Sequence, residues 1–350
     1  ESVPSKRLEQ IRKSGGRTTY YGRLRWEKPS YTISTYFNRI GNGCHIHPEQ
    51  DRLISIREGA RLQSFPDSYR FLGSKAAIYK QIGNAVPPLL GYVISKHLSK
   101  YIKGKAFIDL FAGAGGLSDG FRMSGLKPIA AIEMEKHYFD TYIENLQSKS
   151  TDGFIHGDIC EQKNQNTIVD IASTHKTEII SGGPPCQGFS LAGWFNKDDL
   201  RNQLFKEFVK LVARISPKFF IMENVLGILS MDNGEFIKKI MSEFEAIGYH
   251  VNVPWKLNAA NYGVPQKRKR VFIVGSSKKV KIEPPEPILD EEHFISVKDA
   301  IYGLPTLEPG EGEDVQKISI KPHSNYQKYL MEKISAEEFY KKIQRMKITV

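Results

Sequence analysis

One cysteine in this sequence lies in a turn of unusual composition. Cys186 is flanked by Gly182-Gly183-Pro184-Pro185 and by Gln187-Gly188-Phe189-Ser190, directly after the apolar stretch Glu178-Ile179-Ile180. The prolines stiffen the backbone, and the glycines let another molecule approach the main chain closely. An isolated cysteine is more often a small buried hydrophobe, but core packing does not need so many turn residues around one thiol. We therefore interpret Cys186 as a nucleophile at the end of a strand.

A carboxyl group follows one strand later. Glu223 ends the apolar stretch Lys218–Met222, and its separation from Cys186 corresponds to one β–α–β unit. Both residues are therefore expected at the same edge of neighbouring strands. A thiolate and a carboxyl group in one pocket suit nucleophilic attack that is assisted by an acid.

Two arginines lead into a further apolar stretch, Arg270–Val274. Arg268 and Arg270 are two positions apart, so in a strand their side chains share a face. The alternating lysines Lys267 and Lys269 fit a solvated face better. We expect the two arginines to point the same way.

A glycine-rich turn joins a predicted strand to a predicted helix within Phe107–Ser118, where a ligand can touch bare backbone. Glu133, twenty positions after Gly113, ends the next strand and is placed to bind two ribose hydroxyls. Asp158 ends the third strand–helix unit and is placed to accept from an adenine amino group. A nicotinamide cofactor would fit these features, but Ser118 stands where the G-x-G-x-x-G pattern requires its third glycine. The residues indicate a nucleoside cofactor without identifying it.

Short apolar strands alternate with helices from Ala106 onwards. This pattern predicts a parallel sheet covered on both faces, with ligands bound at the carboxyl ends of its strands. The predicted strands are Ala106–Phe111, Pro128–Ile132, Thr177–Ser181, Lys218–Met222 and Arg270–Val274, with helices at Asp199–Ile215 and Gly234–Ile247. Outside this region we predict a strand at Tyr31–Phe37, a helix from the N-cap Ser55 to Pro66, and helices at Leu89–Tyr101 and Ala336–Met346.

Composition favours a polyanionic partner. The 350 residues carry a formal charge of +11, with 40% hydrophobic residues as in soluble globular proteins. Three cysteines give no disulfide framework, and no apolar run reaches the ~18 residues of a membrane span. The first residues have no signal-peptide core, so we expect a cytoplasmic protein. Cys44-His45-Ile46-His47 has no second ligand cluster, so no metal site is expected.

Taken together, these motifs resemble the cytosine carbon-5 DNA methyltransferases, over roughly residues 20–100 and 106–275. The resemblance rests on the following stretches: Asp109-Leu110-Phe111-Ala112-Gly113-Ala114-Gly115-Gly116, Gly183-Pro184-Pro185-Cys186-Gln187-Gly188-Phe189-Ser190, Glu223-Asn224-Val225, Gln266-Lys267-Arg268-Lys269-Arg270, Arg57–Pro66 and Gln81-Ile82-Gly83-Asn84. It implies an S-adenosylmethionine-dependent, Rossmann-like α/β fold with a mostly parallel sheet and a smaller target-recognition domain.

The resemblance also implies a mechanism. Cys186 would attack carbon 6 of a flipped cytosine, and Glu223 would hold or donate a proton at ring nitrogen 3. Asn224 would position the Glu223 loop, while Arg270 and Arg268 would hold the cytosine carbonyl and a nearby phosphate. S-adenosyl-L-methionine would become S-adenosyl-L-homocysteine in a site formed by Phe111, Ala112, Gly113, Gly115, Gly116, Leu117, Glu133, Met134, Asp158, Ile159, Pro185 and Asn84. DNA contacts are expected from Gln187, Ser190, Arg23, Arg25 and Lys267.

The order of the motifs departs from the family. The stretches Arg57–Pro66 and Gln81–Asn84 come last in the family but first here, so the order looks circularly permuted. The helix after Asn84 would then pack beside the first strand, joined by the connector Lys103-Gly104-Lys105. We expect residues 1–80 to form part of the target-recognition domain and hinge, 81–275 the catalytic and cofactor-binding domain, and 276–350 the rest of the recognition domain.

The expected partner is double-stranded DNA. A cognate restriction endonuclease would act separately, and the protein is expected to be a monomer without a membrane partner. Two alternatives remain open at this point: a transfer-RNA cytosine methyltransferase with similar motifs, and a catalytically inactive DNA-binding relative. A nicotinamide oxidoreductase is opposed by the failed glycine pattern.

Overall fold

The chain forms one central sheet with helices on both faces. The computed structural model describes residues 21–146, 152–185, 200–278, 280–313 and 320–346. Its strands are β1 (Ala106–Leu110), β2 (Lys127–Glu133), β3 (Phe154–His156), β4 (Thr177–Gly182), β5 (Phe219–Val225), β6 (His250–Val251), β7 (Trp255–Asn258) and β8 (Lys269–Ser276). Its α-helices are α1 (Ile56–Leu62), α2 (Lys75–Asn84), α3 (Pro88–Ser99), α4 (Gly116–Met123), α5 (Lys136–Leu146), α6 (Gln162–Thr174), α7 (Leu200–Ile215), α8 (Glu235–Ala246), α9 (Val297–Ile301), α10 (Asn325–Leu330) and α11 (Ala336–Met346).

The strand order in the sheet is β3-β2-β1-β4-β5-β8-β6, and β7 also pairs with β8. Strands β1 to β5 pair in parallel, which confirms the predicted α/β class. Strand β8 runs antiparallel to β5, and β6 and β7 run antiparallel to β8. The predicted mostly parallel sheet is therefore confirmed, and the strand that contains Arg270 is one of its antiparallel strands.

Side chains of successive residues in the strands enter two different cores. Phe107 and Phe219 pack in one core, whereas Ile108 and Phe220 pack in the other. The first core also contains α3, α10 and α11, so both ends of the described chain pack on the same face of the sheet. The opposite core is formed with α6, α7 and α8.

Several local predictions are confirmed. Ser55 caps α1 in a capping box, in which its hydroxyl accepts from the Glu58 amide and the Glu58 carboxylate accepts from the Ser55 amide. Helices α7, α8 and α11 lie where the apolar periodicity indicates. Helix α3 packs against α4, the helix that follows β1. A Cβ on Gly120 of α4 would lie 2.2 Å from the Pro88 carbonyl oxygen, so the two helices approach closely.

The prediction of a strand at Tyr31–Phe37 is wrong. The segment is a loop whose neighbour Ser30 makes only an isolated bridge with Gln266. The amide of Ile33 donates to Oε1 of Gln266 at 2.9 Å, and its carbonyl accepts from Arg268 at 3.2 Å. Side chains thus satisfy backbone groups that a partner strand would satisfy in a sheet.

No described helix is long and apolar enough to cross a membrane. Within the same residues, no group of three or more His, Cys, Asp or Glu side chains is arranged to hold a metal ion.

Candidate active site

A cavity of about 500 Å³ opens at the carboxyl edge of the parallel strands. Loops after β1, β2, β3 and β4 and the last residues of β5 contribute to its walls, as expected for a ligand site in an α/β sheet. Its volume lies within the range of small-molecule sites. The predicted residues that line it are Asn84, Phe111, Ala112, Gly113, Gly116, Leu117, Glu133, Met134, Asp158, Ile159, Pro185, Glu223, Asn224 and Arg270.

The glycine-rich turn exposes backbone to this cavity. Phe111 has φ +59° and Gly113 has φ +56°, both in the left-handed region. A Cβ on Gly113 would meet no atom within 4 Å, so the turn leaves open space beside its main chain. Gly115, the N-cap of α4 with φ +84°, instead packs against Leu146, where a Cβ would lie 2.4 Å from Cδ1. Gly115 therefore shapes the turn without lining the cavity.

Two carboxylates stand where the sequence predicts them. Oε2 of Glu133 accepts from the Gly113 amide at 2.7 Å, and Oε1 accepts from the Glu135 amide at 2.8 Å. Burial raises the pKa of Glu133, and the backbone donors oppose this rise. Asp158 uses Oδ1 to accept from the Cys160 amide at 2.8 Å. Glu133 thus joins the end of β2 to the glycine-rich turn.

Asp109 is a cavity residue to which the sequence reasoning gave no role. Its carboxylate accepts from the Ser118 hydroxyl and, at 3.2 Å, from the Ser181 hydroxyl. Burial raises the pKa of Asp109 to about 7. The sequence could have indicated this role, since Asp109 lies at the end of a predicted strand just before the glycine-rich turn. Ser118, which breaks the nicotinamide pattern, is used here to hold this buried acid.

The end of α2 and the residues that follow it form another wall. Asn84 ends α2 and is exposed, and its side chain hydrogen bonds to Tyr138. Burial and the nearby carboxylates raise the pKa of Tyr138 to about 12. A Cβ on Gly116 would lie 2.3 Å from the Val86 carbonyl oxygen, so this segment packs directly on the glycine-rich turn. Tyr138 was missed because a tyrosine one turn into a helix carries no motif.

Glu223 and Arg270 form the charged pair of the site. Nε of Arg270 lies 3.0 Å from Oε1 of Glu223, and their side chains are 12% and 15% exposed. Burial raises the pKa of Glu223, while the charges of Arg270 and Arg268 oppose the rise. A Cβ on Gly183 would lie 3.1 Å from Oε2 of Glu223, so the acid lies against the turn that leads to Cys186. The Glu223 carboxyl is therefore placed to hold or donate a proton to a molecule bound in the cavity.

Asn224 connects β5 to the same turn. Its Nδ2 donates to the Pro184 carbonyl at 3.2 Å, and its Oδ1 accepts from the Val225 amide at 2.9 Å. The residue is buried. Asn224 therefore sets the position of the Pro184-Pro185 backbone relative to Glu223.

Arg268 and Arg270 occupy different surroundings. Arg268 precedes β8, is fully buried, and donates to the carbonyls of Ile33 at 3.2 Å and Gly83 at 2.7 Å. Burial, and then the charge of Arg270, lower the pKa of Arg268 well below its usual value. The structure thus brings Arg270 into the cavity and places Arg268 between the loop around Ile33 and the end of α2.

The remaining predicted residues fall into two groups. Cys186, Gln187 and Ser190 lie outside the described residues. Of the basic residues expected to contact DNA, Arg23 bonds to Asp51 and to the carbonyls of His47 and Gln50, and Lys267 pairs with Glu291 at 3.2 Å. Arg25 is exposed.

Comparison with known proteins gives one family. The model for the C-5 cytosine-specific DNA methylases matches residues 3–100 and 105–349. The type II methyltransferase M.DdeI of Desulfomicrobium norvegicum is 43% identical over 228 residues, which cover 63% of this chain and 53% of that protein. M1.HphI of Haemophilus parahaemolyticus is 38% identical over 253 residues, which cover 71% of this chain and 65% of that protein. The chain thus spans about half to two thirds of the length of these curated relatives.

A similar protein with a solved structure is encoded within an E. coli prophage. It is 33% identical and aligns over 58% of this chain and 56% of its own, with a TM-score of 0.47.

Proposed function

Since this chain belongs to the C-5 cytosine-specific DNA methylase family, we propose that it is a DNA (cytosine-5)-methyltransferase. Its substrate is a cytosine in a specific duplex sequence. The observation that carries the proposal is the Glu223–Arg270 pair in the wall of the cavity, next to the Gly183-Pro184-Pro185 turn that leads to Cys186. A transfer-RNA cytosine methyltransferase would use the same acid, guanidinium and cysteine, so the acceptor is measured directly in the test below.

Each residue of the site then has a chemical task. Carbon 5 of cytosine is a poor nucleophile, and attack of the Cys186 thiolate on carbon 6 makes the ring reactive at carbon 5. Glu223 holds a proton at ring nitrogen 3, a task that its raised pKa favours because the acid stays protonated to higher pH. Arg270 holds the cytosine carbonyl and stabilises negative charge that develops on the ring. Loss of the carbon-5 proton finally releases Cys186.

The cavity fits S-adenosyl-L-methionine. The open backbone of Gly113 and the two carboxylates Glu133 and Asp158 match a nucleoside that carries ribose hydroxyls and an adenine amino group. When bound, this cofactor supplies the methyl group. Phe111 and Pro185 would pack against the nucleoside, and Asn84 would hold the amino-acid end of the cofactor.

The target base must leave the duplex to reach the site, at a cost of a few kcal/mol. Contacts between DNA and the recognition domain offset this cost. Backbone hydrogen bonds between the N-terminal and C-terminal segments support a recognition domain that is assembled from both segments. The amides of Val297 and Lys298 donate to the carbonyls of Lys28 and Trp26, each at 2.9 Å. The bounds 1–80, 81–275 and 276–350 are part of this proposal.

We further propose that the motif order is circularly permuted. The tight packing of α3 on α4 supports this arrangement. The family match is interrupted at residues 101–104, which overlap the connector Lys103-Gly104-Lys105. The relatives are named type II methyltransferases, so we propose that the enzyme belongs to a restriction-modification system.

The test uses Cys186→Ala and, as a matched control, Cys160→Ala. Cys160 is a partly exposed free thiol, and burial raises its pKa to about 11, so it stays protonated at neutral pH. Tritiated methyl incorporation and gel shifts are measured with duplex DNA and with transfer RNA as acceptors. We expect Cys186→Ala to lose incorporation while it still binds duplex, and Cys160→Ala to retain both. Incorporation by Cys186→Ala would remove the nucleophile from the proposal, and transfer RNA as the preferred acceptor would replace its substrate.

A further inference from the structure

The loop that was predicted to be a strand carries one exposed turn, Tyr36–Ile40. Phe37 anchors this turn, because its ring is fully buried and packs edge-on against Tyr79 with centroids 4.6 Å apart. A Cβ on Gly59 would lie 2.6 Å from the Phe37 ring, so the ring fills a space that only glycine leaves open. The other side chains of the turn are exposed. The backbone is therefore held firmly while the side chains face outward.

The exposed turn lies beside the active-site cavity. Ile33 is bonded to Gln266 and Arg268, and a Cβ on Gly83 would lie 2.5 Å from the Ser34 carbonyl group. Gly83 directly precedes Asn84, and Arg268 lies two residues before Arg270. Asn84 and Arg270 both line the cavity, so the loop packs against the backs of two cavity walls. Tyr36 is also close enough to Tyr138 of the cavity to affect its pKa.

Arg39 is the side chain of this turn whose hydrogen-bond donors are available to bind another molecule. Its guanidinium lies 4.7 Å from the centroid of the Tyr36 ring. In the parts of the chain that the structure describes, the guanidinium of Arg39 makes no hydrogen bond or ion pair, in contrast to the side chains of Arg23 and Lys267. The Arg39 backbone amide donates to the Tyr36 carbonyl at 3.0 Å, which helps to fix the turn. Stacking on an aromatic face orients the planar guanidinium and leaves its N–H groups available for planar acceptors.

We propose that Arg39 reads a guanine next to the target cytosine through bidentate hydrogen bonds to the base edge. The inference rests on the proposed DNA substrate and names one of its specificity determinants. An arginine fork matches O6 and N7 of guanine in the major groove, which is the commonest specific contact between a side chain and a base. Tyr36 is the positioning residue, because its ring holds the guanidinium.

The experiment separates base recognition from phosphate attraction. Arg39→Lys keeps the charge but loses the planar fork, whereas Arg39→Ala loses both. A pool of duplexes with random bases around a cytosine is bound to each protein, and the bound fraction is sequenced. Methylated positions are read in parallel by bisulfite sequencing, so binding preference is measured even where methyl transfer fails.

In Arg39→Lys, we expect the preference in binding for guanine over the other bases at one position to fall by about 10- to 100-fold. The salt dependence of binding should stay unchanged. Arg39→Ala should lose the same preference and reduce the salt slope by about 1. Arg70→Ala is the control, since Arg70 pairs with Glu144 near the end of α5 away from the cavity. A guanine preference that survives in Arg39→Lys would overturn the inference and leave Arg39 as a phosphate contact. If the wild-type protein fails to methylate DNA, the proposed function is contradicted. The binding preference of Arg39 is still measured in that case, because binding is read separately.

Discussion

Arg270 and Glu223 meet because β8 runs antiparallel to β5. In the register of these strands Arg270 lies opposite Val225 and Phe272 lies opposite Glu223, so the two charged side chains form a diagonal pair on one face. Arg270 lies near the start of its strand, and only the reversed direction brings that start to the carboxyl edge of the parallel strands. The direction of one strand thus completes the candidate active site.

Removal of Arg270 should change the pH dependence of the reaction. Burial raises the pKa of Glu223 and Arg270 opposes the rise, so Arg270→Ala should raise this pKa further. If the protonated acid is the active form, activity falls as pH rises through its pKa, and this fall should move to higher pH in the variant. We also expect kcat to drop by about 10²- to 10³-fold. The measurement is kcat/KM against pH, with binding of S-adenosylhomocysteine as control. An unmoved profile would contradict the role of the pair.

Asn224 should affect the chemical step more than cofactor binding. Asn224→Ala removes the bond to the Pro184 carbonyl and loosens the turn that leads to Cys186. A small displacement of a reacting group can reduce rates by about 10²-fold, so we expect kcat to fall by roughly 10- to 100-fold. Asn166→Ala, a change of an exposed asparagine that bonds to Gln162 and Arg214, is the control. Equal rates for the two variants would argue against this positioning role.

Asp109 should make the folded protein less stable as pH rises. Its folded pKa is about 7 against an ordinary value of 3.8, so the native state binds the proton more tightly than the unfolded state. The favourable contribution is present below pH 3.8 and is lost as pH rises to about 7. Asp109→Asn should remove this dependence, which amounts to about 3 kcal/mol between pH 5 and pH 8.

Urea unfolding of wild type and Asp109→Asn at both pH values measures this difference. The variant should gain stability relative to wild type at pH 8 compared with pH 5. The same free-energy difference at both pH values would show that Asp109 is already ionised in the folded protein.

The contact between α3 and α4 should be sensitive to one methyl group. A Cβ on Gly120 would lie 2.2 Å from the Pro88 carbonyl oxygen and 2.5 Å from the Tyr92 amide nitrogen. Alanine usually favours a helix over glycine, but here Gly120→Ala should cost about 1–3 kcal/mol through overpacking. Thermal melting is compared with Gly227→Ala, whose Cβ would meet only a side-chain carbon at 4.0 Å. A variant as stable as this control would mean that α3 does not pack on α4 as described.

Local patterns predicted the elements that carry the site. The apolar stretches that became β1, β2, β4 and β5 were found with small errors at their ends, because buried parallel strands read as continuous hydrophobic runs. The positions of Glu133 and Glu223 near the carboxyl ends of β2 and β5 followed from the same pattern. The role of Cys186 remains a prediction from its turn and from the family.

The loop around Ile33 shows where local patterns fail. Its β-branched and aromatic residues favour a strand, but Ile33 and Phe37 are instead buried against Gln266, Arg268, Tyr79 and Gly59, which are distant in sequence. Strand propensity measures how well side chains fit a half-buried surface, and this loop has such a surface without a partner strand.

The sequence by itself determined the family, the α/β class and the chemical types in the site, because motifs and hydrophobic periodicity are local properties. Only the tertiary structure decided that β8 is antiparallel, that Arg270 reaches Glu223 while Arg268 is buried, and that the Arg39 guanidinium stacks on the Tyr36 ring. Those outcomes depend on which groups, distant in the sequence, come close enough in the fold to pair with each guanidinium or carboxylate. Such competition is settled by packing in three dimensions, and spacing along the chain does not encode it.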